Sequence, residues 1–176
     1  MNWLDYIMFR TLRMLRNSPL NKILNIGVTT HAFTDYFKGF EKVKAVQGIF
    51  GEKTGDVLRN LKVDLSWLGG YMFVDSSNGH LVVSARYLHS GDQVDIYLDL
   101  IHELCHVRQF MEGKELFDPQ YSYVERPTEI EAYDYTVQEA RRLGLSEERI
   151  CEYLKTEWMS SEDLKFLAKA VNVKCQ

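Results

Sequence analysis

Asp92-Gln93-Val94-Asp95-Ile96-Tyr97-Leu98-Asp99-Leu100-Ile101-His102-Glu103-Leu104-Cys105-His106-Val107-Arg108-Gln109-Phe110-Met111 is the stretch from which the rest of the chain is read. Val94, Leu98, Ile101, Leu104, Cys105 and Val107 recur at helical spacing, so the run predicts one long helix over 92–112. Asp92 is its expected N-cap and Gly113 its C-terminal stop. Residues four apart on a helix lie one above the other, so His102 and His106 face the same way. Two imidazoles so placed can reach one metal ion, and Glu103 beside the first can hold and deprotonate a metal-bound water. The bland alternative is a helix that carries two exposed or hydrogen-bonded histidines.

Upstream the pattern changes period. Leu61, Val63, Leu65 and Trp67 alternate with Lys62, Asp64 and Ser66, as on a half-buried strand. Tyr71 to Asp75 and Leu81 to Tyr87 are two more β-rich runs, joined by Ser76-Ser77-Asn78-Gly79, a hairpin signal. A small antiparallel sheet of about three strands is therefore expected over 61–88, immediately before the long helix. Residues 29 to 50 read as helical with a break at Gly39, and His31 reads as a lone structural or solvent-facing histidine. Trp3, Leu4, Ile7, Met8, Leu12 and Leu15 make residues 2 to 16 an amphipathic helix within an N-terminal element of residues 1–25. Its polar side carries Arg10, Arg13 and Arg16, which allows a weak contact with an anionic membrane surface.

Downstream, Lys114 to Arg126 lacks periodicity and is expected as an ordered loop. Pro127 suits the first turn of a helix over 127–143, with Gly144 beyond its end. Ser146 caps a further helix to about Trp158, and Ser160 or Ser161 starts the last one, so helices fill 146–172. Helices, a small sheet, then helices make an α+β fold, mainly helical, expected as one domain over residues 1–176.

Composition narrows the function classes. The 176 residues carry a formal net charge of −4, so there is no basic signature for nucleic acid. Hydrophobic residues make up 45% and charged residues 26%, and no run of about eighteen apolar residues marks a membrane span. The start of the chain lacks a signal-peptide pattern. Cys105, Cys151 and Cys175 are odd in number and form no C-x-x-C pair, which points to a reducing compartment, the cytoplasm, and against a disulfide framework.

Catalytic zinc sites use three protein ligands and leave a position for water. A metzincin-type third histidine would require glycine at 109 and histidine at 112, where this chain has Gln109 and Glu112. Glutamates in Arg126-Pro127-Thr128-Glu129-Ile130-Glu131-Ala132-Tyr133 are the remaining candidates. Glu129 and Glu131 point about 200° apart around a helix, so only one can be a ligand.

From Leu98 to Tyr133 the chain resembles the gluzincin group of zinc metallopeptidases, in which His-Glu-x-x-His is followed by a helix bearing a ligand glutamate, often as Glu-x-x-Ala. Glu129-Ile130-Glu131-Ala132 matches that pattern with Glu129 first, which favours Glu129 over Glu131. The resemblance implies Zn2+ on His102, His106 and Glu129, with Glu103 as general base in hydrolysis of peptide bonds in a peptide or protein substrate. It also implies a strand at the sheet edge that lines the cleft and takes substrate in extended form. Some members orient a histidine with Asp four residues after the ligand glutamate; Tyr133 stands there, leaving Asp99 and Asp134 as substitutes. An oxyanion donor is also needed; Tyr121, Tyr123, Tyr133 and Arg108 are in the neighbourhood, with Tyr123 first. Cys105 is expected in the core, and His80 and His89 at the ends of the sheet. The other reading is a non-catalytic metal-binding or regulatory protein with a peptidase-like site.

Overall fold

The computed structural model describes residues 29–67 and 70–175. The N-terminal helix expected over 2–16, with its arginine face and membrane-surface contact, lies outside the described residues. Among these residues the fold is α+β and mainly helical, with a four-stranded mixed sheet: β1 Thr29–Ala32, β2 Lys62–Ser66, β3 Met72–Val74 and β4 Leu81–Ser84. Three short helices stand between β1 and β2: α1 Phe33–Tyr36, α2 Lys44–Phe50 and α3 Thr54–Asn60. After β4 come α4 Ala85–Ser90, the long α5 Gln93–Met111, α6 Pro127–Arg142, α7 Glu147–Leu154 and α8 Ser161–Ala170.

The sheet differs from the expected three antiparallel strands in two ways. Its order is β1-β2-β4-β3, and β2 pairs with β4 in parallel, Val63 opposite Leu81 and Leu65 opposite Val83. All four residues of β4 are buried, and a strand covered on both faces belongs inside a sheet. The hairpin therefore docks by its second strand and leaves β3 at the edge. The hairpin itself forms as expected: β3 and β4 pair antiparallel, and Gly79 closes the turn with φ +72°. The fourth strand is β1, where a helix was expected. Thr29 and Thr30, β-branched, pair antiparallel with Leu65 and Asp64, and the helical pattern begins only at Phe33.

Two shorter elements also depart from expectation. The run Leu81–Tyr87 leaves the sheet at Ser84, whose side chain accepts from the Tyr87 N–H and caps α4. Similarly, α7 stops at Leu154, short of Trp158. The other boundaries follow their caps. Asp92 accepts from the Val94 and Asp95 amides at the head of α5. Pro127 opens α6, and Ser160 forms a capping box with Asp163 on α8. The loop between α5 and α6 is ordered and contains one 3-10 turn, Tyr123–Glu125.

Two apolar clusters flank α5. One gathers the sheet and α1 to α3 around Ile101, Leu104, Cys105 and Val107. The other gathers α6, α7 and α8 around Leu98, Tyr133, Val137, Ile150, Leu154 and Leu167. Cys151 and Cys175 are joined by a disulfide that ties the C-terminal tail to α7, which corrects the expectation of unpaired cysteines. Cys105 is free and buried, as expected, and burial pushes its thiol up to about 12.

Candidate metal centre

The site lies where α5 and α6 cross. His102 and His106 come from successive turns of α5, and Glu129 from the first turn of α6. Proline at the first position of α6 costs no hydrogen bond, and Ala132 and Thr128 are buried with Glu129 on the face that meets α5. All three polar side chains are nearly enclosed, at 7%, 6% and 4% exposure.

Their donor atoms converge. His102 Nε2 and His106 Nε2 are 3.0 Å apart, and Glu129 Oε2 lies 3.3 Å from the first and 3.5 Å from the second. Ligands 2.0–2.1 Å from a tetrahedral ion stand about 3.3 Å from one another. Glu129 Oε2 is buried and, apart from these two imidazoles, has no hydrogen-bond partner among the described residues. Converging lone pairs without enough protons between them repel in a low-dielectric interior, so the trio fits a cation. His102, His106 and Glu129 can together hold a metal ion.

In the metal-free state protons do part of that work. Burial alone would lower His106, but the Glu129 carboxylate beside it wins and raises it to about 9. Burial lowers His102 below the usual imidazole range. Glu129 is held well below the usual carboxylate range: burial pushes it up, but the charge of His106 and the bonds from both imidazoles outweigh this.

Glu103 points at the same region from the sheet side. Its carboxyl takes the backbone N–H of Val74 on β3, while Oε2 is buried and makes no hydrogen bond among the described residues. Burial, with Glu129 and Asp99 adding negative charge, pushes Glu103 up to about 8 despite the opposing His106. A carboxyl poised there can exchange a proton near neutral pH.

Tyr123 and Tyr133 close the other side. Their hydroxyls are 2.9 Å apart, and the Tyr133 ring meets His102 edge-on at 4.5 Å between centroids. Tyr123 also packs edge-on against Trp158. The remaining donor candidates are turned elsewhere. Tyr121 is exposed, and Arg108 bonds Glu131 and Tyr135.

Glu131 faces away from the trio. It bonds Arg108, Lys114 and the Gln109 amide, so of the two glutamates only Glu129 joins the histidines. The expected orienting acids do not reach a histidine. Asp99 accepts from the hydroxyls of Tyr87 and Tyr153, and Asp134 accepts from Gln138 at the surface. Instead Gln109 meets His106, with Oε1 2.7 Å from Nδ1. In the sequence Gln109 stands only where a metzincin glycine would be; the signal for its role is its position three residues after His106, on the same helical face. Of the outlying histidines, His80 meets the buried Asp64, His31 lies on β1 against Tyr36, and His89 ends α4.

No family model, curated protein or solved structure matches the chain.

Proposed function

We propose that the protein is a zinc-dependent peptidase of gluzincin type. The observation that carries this reading is the buried convergence of His102, His106 and Glu129 with the Glu103 carboxyl beside it. Bound zinc supplies Lewis acidity for a scissile carbonyl and a water acidified toward a pKa of about 7. Glu103 takes the proton of the attacking water and returns it to the leaving amine. Tyr123, held by Tyr133, donates to the developing oxyanion. The substrate is an extended peptide added to the open edge of the sheet. There Tyr71 O and Asp75 N bond back toward β4, so Met72 between them turns its backbone groups outward, while the Val74 N–H is taken by Glu103. Work in the cytoplasm is part of the proposal, and it requires the Cys151–Cys175 pair to be open there.

Zinc content and cleavage of a peptide library, measured side by side, test the reading. Wild-type protein is expected to hold one zinc and to cleave. Glu103→Gln is expected to keep the zinc and lose about 10²- to 10⁴-fold in rate, the usual contribution of a general base. Unchanged cleavage in Glu103→Gln would sink the mechanism. One zinc with no cleavage of any peptide would move the protein to the non-catalytic metal-binding reading. No zinc, and no loss of stability in His102→Ala, would leave a helical domain with a chance motif.

A further inference from the structure

The geometry points to Gln109 as the residue that sets the tautomer of His106, through an amide whose own orientation is fixed by Glu131 and the Thr128 carbonyl. This rests on the metal-binding reading above. The Gln109 side chain is buried, with its Nε2 also 3.7 Å from Cys105 Sγ. Its Nε2 lies 2.9 Å from the Thr128 carbonyl oxygen and 2.7 Å from a Glu131 carboxylate oxygen. A carbonyl and a carboxylate only accept, so the NH2 end of the amide must face them. Its carbonyl end, Oε1, then faces His106 Nδ1 at 2.7 Å and can only accept. His106 therefore carries its proton on Nδ1, which leaves the Nε2 lone pair directed at His102 and Glu129.

Glu131 stays a carboxylate because Arg108 and Lys114 bond it. The two acids of the Glu129-Ile130-Glu131 segment thus divide the work. Glu129 is a ligand, and Glu131, on the other side of α6, anchors the amide that aims the second histidine. Histidine ligands generally donate their second N–H to a carboxylate or carbonyl, and loss of that partner costs 10- to 100-fold in metal affinity. Here a glutamine of the same helix takes that place for His106, and neither Asp99 nor Asp134 does.

The test has two readouts, neither of which needs catalysis. The first is the imidazole tautomer in the metal-free protein, recorded by long-range ¹H–¹⁵N correlation at a pH where both histidines are neutral. Wild type is expected to show His106 protonated on Nδ1, and Gln109→Met to shift it toward the Nε2–H form. The second is zinc affinity by chelator competition. Gln109→Met is expected to bind 10- to 100-fold more weakly. Glu131→Ala changes a partly exposed residue, which keeps the test available if Gln109→Met fails to fold, and it is expected to bind several-fold more weakly. Wild-type His106 protonated on Nε2 overturns the inference, as does zinc affinity in both variants within twofold of wild type. If wild type shows the Nδ1–H tautomer and binds no zinc, the role of Gln109 in orienting His106 stands and the metal reading falls.

Discussion

At the residue scale, His106 sits beside the Glu129 carboxylate and carries a proton there that a metal ion would have to displace. His106 is raised to about 9 by Glu129, while His102 is lowered by burial and Glu129 stays ionised. At pH 7.5 the metal-free trio is therefore expected to carry one proton, on His106. Because only the deprotonated imidazole binds, metal affinity should fall about tenfold for each pH unit below about 9. Calorimetry of zinc binding in two buffers of different protonation enthalpy should report at least one proton released; a value near zero contradicts the arrangement. Much of this site was legible in the sequence, because the helical repeat alone puts His102, Glu103 and His106 within reach of one point. The choice between Glu129 and Glu131 was not legible from geometry, since it depends on how α6 is rotated against α5. Gln109 was missed because its role exists only once Glu131 and the Thr128 carbonyl are brought to it from α6.

At the scale of elements, the β3–β4 hairpin is clamped to the end of α5 by one close approach. Gly79 sits at φ +72°, and a Cβ built there would lie 2.4 Å from the Phe110 ring. Gly79→Ala combines left-handed backbone strain of about 1–2 kcal/mol with overpacking of about 1–3 kcal/mol. The expected loss, about 2–5 kcal/mol, should appear as a lower urea midpoint; a loss below about 0.5 kcal/mol would show that the hairpin does not rest on Phe110. Asn78-Gly79 announced this hairpin because the turn chemistry is local. The strand β1 was not announced. Thr29 to Ala32 become a strand only through pairing with β2, and one chain segment cannot display a partner thirty residues away. The parallel register of β2 with β4 was hidden for the same reason, although the unbroken burial of Leu81 to Ser84 is its trace. Helix ends were read more faithfully, since Asp92, Pro127, Ser146 and Ser160 act on their own first turns.

At the scale of the whole molecule, α5 is shared by two apolar clusters, and the His102, His106 and Glu129 trio lies along their seam. Asp99 helps join the halves by accepting from Tyr87 of α4 and Tyr153 of α7. The second cluster supports Tyr123, Tyr133 and α6, so whatever stabilises it also steadies one wall of the site. The Cys151–Cys175 bond does so by tying the tail to α7 across a sequence separation of 24 residues. Two further contacts fold the tail back, Arg141 to the Asn172 carbonyl and the Lys174 amide to Glu147. An odd cysteine count could not reveal the pairing, because it depends on that return of the chain. Closing a loop of this length should stabilise the fold by about 3 kcal/mol on the chain-entropy model. A reductant is therefore expected to lower the urea midpoint of wild type and to leave a Cys151→Ser variant unmoved. Equal midpoints with and without reductant would mean that the tail holds without the bond. The compartment decides which form works: thiols trapped at lysis and counted after denaturation should number three in a reducing cytoplasm and one, Cys105, where the bond is closed. If three are found, the cleft wall rests on the Arg141 and Lys174 contacts and on packing alone, and the reduced protein is the form in which zinc binding and cleavage must be measured.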